Sequence, residues 1–321
     1  MKCLVTGGAG FIGSHIVNVL LDRGHSVVCL DNFSSRFAVA NEKENIKPFL
    51  ENNEFELVEG DIRNKELLHR LAIDTDFIFH EAALVSVVES MRDPVKTIDV
   101  NTIGTLNILK AALTGNVKKV IIASSAAVYG DSPEQPKKED MTPYPKSPYA
   151  ISKLDCEYAA KIFYEEYGLK TTSLRYFNVY GQGQDPSSPY AAVIPIFIRK
   201  ALKNEDIPIY GDGSQTRDFI FVKDVVHANE LVMSKGDGRV FNVANGTFIS
   251  ISELAELIIE QTDSKSKIVY EKPRAGDIKN SFADTTEIKK MGFKPRFSLK
   301  SGIGNTIEWL KKAMSPTNPP C

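Results

Sequence analysis

The chain has 321 residues, of which 42% are apolar and 25% charged, as in an ordinary soluble globular protein. At about 150 residues per domain, this length predicts about two domains and a core that needs no disulfide or structural metal. The net charge of −2 argues against DNA or RNA as the main partner, and no apolar run is long enough for a membrane-spanning helix. No zinc-ligand spacing occurs among the cysteines, so we expect reduced thiols in a cytoplasmic protein at Cys3, Cys29, Cys156 and Cys321.

In the first half of the chain, short apolar runs alternate with helical patterns. The apolar runs predict strands at 2–6, 26–30, 55–59, 76–79, 120–123 and 171–176. The helical patterns predict helices at 11–23, 94–113 and 148–167. Strands that are apolar throughout and separated by helices are typical of a parallel sheet covered on both faces. The sequence therefore predicts an α/β fold with a doubly wound parallel sheet of the Rossmann type.

In the second half of the chain, the regular alternation of strands and helices is lost. Gly, Pro, Ser and Gln cluster at 181–189, and helices predicted at 193–203, 251–261 and 303–313 are mixed with short strands. We therefore predict a first domain over 1–178 and a smaller mixed α/β domain over 179–217 and 247–314. Segments 218–222 and 240–243 are expected to return to the main sheet, which assigns 218–246 to the first domain. The tail 315–321 contains three prolines and is expected to be disordered.

A glycine-rich segment follows the first predicted strand and opens the first helix. Gly7, Gly10 and Gly13, within G-G-A-G-F-I-G, permit a tight turn and a close approach of the backbone to a pyrophosphate. Asp31 ends the second strand, where a carboxylate accepts hydrogen bonds from an adenosine ribose. It would repel a 2′-phosphate, so NAD is favoured over NADP, although Arg36 reduces this preference slightly.

Asp61 follows the third strand and has two interpretations. The carboxylate could meet the adenine amino group of a dinucleotide, or it could cap the next helix. The sequence alone leaves both open.

Tyr149 and Lys153 form a Y-x-x-x-K pair on a predicted helix. Residues four apart lie on one face of a helix, so the ammonium can sit beside the phenol and favour its ionised form. Ser125 ends the fifth strand at the edge where α/β sheets bind ligands, and its hydroxyl could hold a substrate oxygen. The alternatives are an exposed Tyr and Lys on a surface helix and a serine that caps the next turn.

These motifs together resemble those of the extended short-chain dehydrogenase/reductase family, over nearly the whole chain. Within that family, A-S-S-A-A-V-Y-G, S-P-Y-A-I-S-K, R-Y-F-N-V-Y-G and R-A-G-D resemble segments of nucleotide-sugar 4-epimerases. The resemblance implies NAD as cofactor, Tyr149 as the base, Lys153 as its electrostatic partner and Ser125 as a hydroxyl that aligns the sugar 4-OH. It also implies cofactor contacts by the glycines, Tyr149, Lys153 and the following residues: Phe11, Ile12, Asp31, Asn32, Asp61, Ile62, Ala82, Ala83, Asn101, Ala123 and Phe177.

The same resemblance implies a UDP-sugar site. It places Asn178, Arg217 and Arg274 on the diphosphate and Asp277 on the uridine ribose. The segment 191–195, with Ala192 and Val193, resembles the uridine-binding segment of epimerases that act on N-acetylated UDP-hexoses. Ser281 stands where epimerases restricted to glucose and galactose usually carry a bulky Tyr, and Val85 replaces a Lys of those enzymes. We therefore expect a pocket that accepts UDP-N-acetylglucosamine as well as UDP-glucose.

The residues after Ser125 distinguish the resembling activities. Ala126 and Ala127 stand where 4,6-dehydratases and decarboxylating synthases of the family carry acids, and alanine cannot transfer a proton. The expected function is an NAD-dependent UDP-sugar 4-epimerase that oxidises C4 transiently. The alternatives are a UDP-glucuronate 4-epimerase, another nucleotide-sugar oxidoreductase, and a non-catalytic NAD-sensing protein.

Relatives of this fold usually pair through two long helices, here 94–113 and 148–167, so a homodimer is expected. The apolar residues Ile151, Leu154, Tyr158 and Ile162 have helical spacing. That spacing fits a face buried between subunits and fits an ordinary core equally well.

Overall fold

The predicted alternation of strands and helices is present in the computed structural model, which describes residues 1–34, 39–185, 193–273 and 279–314. The strands, numbered along the chain, are β1 (Lys2–Thr6), β2 (Ser26–Asp31), β3 (Phe55–Glu59), β4 (Phe77–His80), β5 (Lys119–Ser125), β6 (Thr171–Tyr176), β7 (Val179–Tyr180), β8 (Ile207–Tyr210), β9 (Thr216–Arg217), β10 (Ile220–Phe221), β11 (Arg239–Val243), β12 (Ile249–Ser250), β13 (Ile268–Glu271) and β14 (Asn280–Ser281).

The helices follow the same numbering. They are α1 (Phe11–Asp22), α2 (Val39–Ile46), α3 (Lys65–Ala72), α4 (Val87–Arg92), α5 (Pro94–Ile98), α6 (Gly104–Thr114), α7 (Pro148–Tyr167), α8 (Val193–Leu202), α9 (Val222–Val232), α10 (Ile251–Thr262), α11 (Thr286–Lys290) and α12 (Leu299–Ala313). A π-helical turn over Asp99–Ile103 joins α5 to α6, and short 3₁₀ turns cover Lys47–Phe49 and Ala126–Tyr129. The single helix predicted over 94–113 is thus one continuous helical rod with a wider turn in its middle.

Seven parallel strands form the central sheet, in the order β3-β2-β1-β4-β5-β6-β11. Helices α1 and α9 pack together on one face, and α3, α6 and α7 cover the other. Because both faces are covered, residues 3–6 of β1 are buried without alternation. This confirms the predicted doubly wound α/β fold. The order reverses between β1 and β4, and ligands bind beyond the carboxyl ends of the strands at such a point.

The second half of the chain builds smaller sheets around its own apolar core. Strand β10 pairs with β7, β9 lies between β12 and β14, and β8 pairs with β13. A separate core is formed by residues of α8, α10 and α12, among others. The expected smaller domain agrees with this arrangement, but its boundaries stay a prediction.

Residues 218–246 divide between the two parts. Arg239–Val243 joins the large sheet beside β6, as expected for 240–243. Ile220–Phe221 instead pairs with Val179–Tyr180, so the expected return of 218–222 to the large sheet is wrong. Strand β7 begins at Val179, two residues after the end of β6, and it supplies the pairing partner of Ile220–Phe221. The tail 315–321 lies outside the described residues.

Candidate active site at the carboxyl edge of the sheet

The glycine turn between β1 and α1 has the shape expected for a pyrophosphate cradle. Gly7 has φ +68°, and a Cβ there would lie 2.7 Å from the Ala82 nitrogen. A Cβ on Gly13 would lie 2.1 Å from the Gly7 carbonyl oxygen. Gly10 begins the helix without a side-chain cap, and the first turn carries no acid. The unpaired N–H groups and the positive end of the helix dipole therefore suit an anionic group, which fits the pyrophosphate of NAD.

Asp31 lies at the end of β2, where the sequence places the adenosine ribose. Its Oδ2 accepts the Ala9 N–H at 3.0 Å and its Oδ1 accepts the Phe33 N–H at 3.0 Å. Burial raises the pKa of the Asp31 carboxyl above its ordinary value, although the two N–H donors oppose this shift. Each oxygen keeps a lone pair for a further donor, as a ribose-binding carboxylate requires.

Asp61 is held as an ionised side chain and does not cap a helix. Arg63 donates to it through Nε at 2.9 Å and Nη2 at 2.8 Å, and these bonds hold the pKa of Asp61 well below its usual range. Asn32 also donates to Asp61, at 3.0 Å. The cap of α3 is Asn64, which accepts the Leu67 N–H. The capping interpretation of Asp61 is therefore wrong, and its contact with adenine stays a prediction.

The loop after β4 is tied to the π-helical turn by Asn101. The Asn101 Oδ1 accepts the Leu84 N–H at 2.8 Å, and its Nδ2 donates to the Leu84 carbonyl at 3.0 Å. This places Ala82 and Ala83 beside the glycine turn. Ile62 is buried nearby, where a Cβ on Gly104 would touch it. Wider π turns inside helices often occur at functional sites, and here the turn carries the residue that fixes the loop.

Tyr149 and Lys153 lie one helical turn apart at the start of α7, which Ser147 caps through the Ala150 N–H. Both side chains are nearly buried, with 9% and 5% of their surface exposed. The Lys153 Nζ donates to the Ala123 carbonyl of β5 at 2.8 Å. The Tyr149 hydroxyl has no hydrogen-bond partner among the described residues. The interpretation as an exposed surface pair is therefore wrong.

Ser125 stands at the carboxyl end of β5, two residues after the carbonyl that binds Lys153. Its Oγ accepts the Ala127 N–H at 3.1 Å, so it does cap the short turn that follows. That bond uses one acceptor site of the hydroxyl and leaves its proton free to be donated to another oxygen. Capping and substrate binding are thus compatible at this residue.

A buried ion pair beneath this edge was not found by sequence reasoning. Glu157 of α7 accepts from the Arg175 Nε at 2.9 Å and from its Nη2 at 2.7 Å, and also from the Ser124 hydroxyl. Arg175 further donates to the Tyr129 hydroxyl at 2.8 Å. The available signal was a charged residue within a strand predicted to be buried in the sheet, where a charge requires a buried partner. The network fixes α7, and with it Tyr149, against β5 and β6.

His80 and Glu81 end β4 and were also missed. His80 bridges Thr6 at 2.7 Å and Thr105 at 2.9 Å, and burial lowers its pKa to about 3, so it is neutral. Glu81 accepts from the Tyr176 hydroxyl at 2.8 Å, and burial raises its pKa to about 7. The Lys153 charge lowers the pKa of both groups, which places both within its electrostatic reach.

The predicted cofactor residues Ala123 and Phe177 are mostly or fully buried. Ala123 offers its carbonyl to Lys153, and the Phe177 ring packs 6.1 Å from the Tyr129 ring in a small core cluster. Phe11 and Ile12, at the start of α1, are half-buried against the core of the second half. Phe177 has no exposed surface, so its contact with the cofactor stays a prediction.

The predicted diphosphate residues Asn178 and Arg217 flank Asp218. The Asn178 Nδ2 donates to the Asp218 carbonyl at 2.8 Å, and Arg217 lies opposite Ser281 in the pairing of β9 with β14. Asp218 is fully buried, and its carboxylate accepts the N–H groups of Asn245 and Gly246 at 3.0 Å. The structure thus brings three predicted substrate residues to one place. Val193 begins α8, and the remaining predicted residues lie outside the described ones: Ala192, Arg274 and Asp277.

Comparison with known proteins identifies the family. Residues 3–244 match the model of the NAD dependent epimerase/dehydratase family. The crystal structure of UDP-glucose 4-epimerase from Thermotoga maritima is 39% identical, with a TM-score of 0.91 over 98% of this chain and 100% of that chain. UDP-N-acetylglucosamine 4-epimerase from Methanobrevibacter ruminantium is 41% identical, with a TM-score of 0.90 over 98% of this chain and 99% of that chain. UDP-N-acetyl-alpha-D-glucosaminuronate decarboxylase from Bacillus cytotoxicus is 39% identical over 97% of this chain and 98% of the relative.

These similarities extend over nearly the full length of the chain. They confirm the predicted family, the predicted NAD cofactor and the prediction of an epimerase-type enzyme, while the similar decarboxylase leaves the sugar and the reaction on it open. The chain belongs to the NAD dependent epimerase/dehydratase family.

Proposed function

We propose that this enzyme is a UDP-sugar 4-epimerase that interconverts UDP-glucose with UDP-galactose and UDP-N-acetylglucosamine with UDP-N-acetylgalactosamine. One observation carries the proposal: the nearly buried Tyr149 phenol, which has no hydrogen-bond partner in the described part of the chain, lies one turn from Lys153, whose ammonium is fixed to β5. A cation in this position favours the phenolate, which can act as a base toward a sugar hydroxyl. Bound NAD supplies a reversible acceptor for a hydride.

The roles of the other residues follow from their places. Tyr149 removes the proton of the C4 hydroxyl and later returns it, while the Ser125 hydroxyl aligns the same oxygen. The bond from the Lys153 Nζ to the Ala123 carbonyl fixes the position of this side chain one helical turn from Tyr149. The sugar is oxidised at C4, turns about its bond to the diphosphate and is reduced on its other face.

Epimerisation by this route needs a firmly held nucleotide and a loosely held sugar. Asn178 and Arg217 lie on either side of the buried Asp218, and an arginine guanidinium is well suited to bind a diphosphate. Arg274, Asp277, Ala192 and Val193 stay predictions from the family resemblance. A fixed diphosphate with few sugar contacts lets either face of C4 meet the same base.

The residues beside Ser125 favour chemistry at one carbon. Ala126 and Ala127 form the turn after β5 and carry no group that can move a proton. This favours epimerisation over elimination at C5 and C6. Decarboxylation after C4 oxidation needs a carboxylated sugar, so the substrate decides between these two reactions.

Ser281 supports the wider substrate range. It lies opposite Arg217 in the sheet of β9 and β14, so a small side chain stands next to a predicted diphosphate anchor. A small residue leaves room for an N-acetyl group where a tyrosine would fill the space. Val85, the other residue singled out for sugar size, is exposed after β4.

A homodimer formed through α6 and α7 is part of this proposal. The two helices pack side by side and expose Ile103, Leu106, Ile151, Tyr158 and Ile162, which are 36% to 53% accessible. Three of these have the helical spacing noted in the sequence, and their exposure excludes the core interpretation for them. An exposed apolar face shared by two helices is typical of an interface between subunits.

The cytoplasmic location stays a prediction. Cys3, Cys29 and Cys156 are free thiols in the structure, as expected for a reducing compartment. In the described residues, no helix is both long and apolar enough to span a membrane.

The proposed activity is tested by a panel of nucleotide sugars. The purified protein, with and without added NAD, is incubated with UDP-glucose, UDP-N-acetylglucosamine and UDP-glucuronate, and the products are separated by chromatography. We expect the galacto epimers of the first two. Epimerisation of UDP-glucuronate alone would move the proposal to that substrate, and stoichiometric reduction of NAD without an epimer would replace it by a net oxidoreductase.

A further inference from the structure

Helix α2 is hydrogen-bonded to the glycine turn through the Ala9 peptide group. The Ala9 N–H donates to the Asp31 Oδ2 at 3.0 Å, and the Ala9 carbonyl accepts from the Asn45 Nδ2 at 3.2 Å. One face of α2 is therefore held against the turn that cradles the pyrophosphate, next to the carboxylate assigned to the adenosine ribose. A Cβ on Gly183 would lie 3.1 Å from the Asn45 Oδ1, so the loop after β7 packs closely against the Asn45 side chain.

Glu42 lies on this face of α2, one helical turn before Asn45. Its Oε2 is buried and has no hydrogen-bond partner among the residues that the structure describes. Burial raises the pKa of Glu42 to about 7, and the Asp31 carboxylate adds to the shift, so the two acids lie within electrostatic reach of each other. A buried acceptor without a donor costs free energy, and native proteins hold few of them.

A ribose supplies what these two acids lack. Its vicinal hydroxyls are two neutral donors, and Asp31 and Glu42 together offer unused acceptor sites on two carboxylates. A phosphate on the 2′ oxygen would bring about two negative charges against both acids and would remove one donor. We propose that Glu42 is a second acid of the adenosine ribose site, which accepts a hydrogen bond from a ribose hydroxyl and, with Asp31, selects NAD against NADP.

This inference concerns the cofactor and does not depend on which sugar the enzyme uses. It is tested by competition between the two dinucleotides for the full chain. The protein is incubated with equal, excess concentrations of NAD and NADP until the bound nucleotides no longer change. It is then desalted, and the bound nucleotides are quantified by chromatography.

For Glu42→Gln we expect the bound ratio of NADP to NAD to rise about tenfold over wild type, since one charge-assisted hydrogen bond and one repulsion are lost. Glu44→Gln is the matched control, because Glu44 is exposed on the same helix, and its ratio should equal that of wild type. An unchanged ratio in a Glu42→Gln protein with the wild-type circular dichroism spectrum would overturn the proposal.

A second variant is used if Glu42→Gln binds neither nucleotide. Glu42→Asp then distinguishes a role in ribose binding from a structural role, because it keeps the charge and shortens the side chain. Recovery of NAD with exclusion of NADP supports the proposal. Failure of Glu42→Asp to bind either nucleotide would show that Glu42 only props α2 and would overturn it.

Discussion

The Asn101 amide nitrogen lies 2.9 Å from the Ser152 hydroxyl oxygen and joins the π-helical turn to the residue next to Lys153. Ser152 in turn donates to the Tyr149 carbonyl at 2.8 Å. The loop after β4, the π turn and the start of α7 are thereby fixed by one side chain. The position of Asn101 therefore governs the placement of Tyr149 relative to a ligand at the sheet edge.

Replacement of Asn101 by alanine should impair turnover more than substrate binding. The variant leaves the Leu84 N–H without its acceptor and removes the bond that Asn101 donates to the Ser152 hydroxyl. A small displacement of a base costs a large factor in rate. We expect kcat to fall about tenfold to hundredfold with KM within about threefold of wild type. Asn18→Ala, on the exposed face of α1, is the control in steady-state kinetics. Wild-type kcat for Asn101→Ala would contradict this role.

Replacement of Glu157 by glutamine should destabilise the fold. The Arg175 guanidinium would remain buried with its charge uncompensated, and breaking such a pair costs about 3 kcal/mol or more. Urea unfolding followed by circular dichroism measures this loss. Glu165→Gln breaks an exposed pair with Lys161 and should change the free energy of unfolding by less than about 0.5 kcal/mol. Equal effects of the two substitutions would be inconsistent with a stabilising role for the buried pair.

Glu81 should make stability depend on pH in a defined direction. Burial raises its pKa from 4.5 to about 7, so between these values the folded protein holds a proton that the unfolded chain has released. The contribution of Glu81 to stability therefore falls as pH rises from 4.5 to about 7 and stays constant above that. A glutamine at position 81 does not titrate, so it removes this pH-dependent contribution to stability, and its side-chain oxygen can still accept the hydrogen bond from the Tyr176 hydroxyl.

The test compares Glu81→Gln with wild type in urea at pH 5 and pH 8. The free energy of unfolding of the variant, relative to wild type, should rise by about 2 kcal/mol from pH 5 to pH 8. This is less than the full pKa shift implies, because the Glu81 side chain is only partly buried. Glu59→Gln, exposed at the end of β3, should show no such change. If the difference in free energy of unfolding between Glu81→Gln and wild type were the same at both pH values, a raised pKa of Glu81 would be excluded.

The exposed face of α6 and α7 should hold two subunits together. Ile162→Glu places a charge at the centre of that face, where desolvation without a partner opposes association. Light scattering after size exclusion should give a dimer for wild type and a monomer for the variant at micromolar concentration. Val269→Glu, on the exposed side of β13, should remain dimeric. A monomeric wild type would refute the dimer.

The sequence predicted the elements whose side chains have one dominant environment. Strands such as Lys2–Thr6 are buried on both faces, so their apolar runs and their bounds could be recognised. The glycine turn and the Tyr149–Lys153 pair were recognisable because chemistry restricts the residue types there. Two-residue strands such as Ile220–Phe221 have no period to detect, so their partner was predicted wrongly.

Roles that depend on a distant partner could not be predicted. Asp61 could be a cap or a ligand because the arginine that holds it comes two residues later and in a loop. Glu42 and Glu81 belong to no recognisable sequence motif, and their burial is visible only in the structure. Ile162 showed helical spacing, but only the arrangement of α6 and α7 shows that this face points away from the core.

The central claim is that Tyr149 and Lys153 serve a transient oxidation at C4, and deuterium at that carbon tests it most directly. UDP-glucose labelled at C4 is incubated with the enzyme in ordinary water, and the deuterium in the UDP-galactose formed is measured by mass spectrometry. The account predicts full retention of the label at C4, and no product from Tyr149→Phe, which should still bind UDP. Exchange of the label with solvent, or near wild-type epimerisation by Tyr149→Phe, would contradict it.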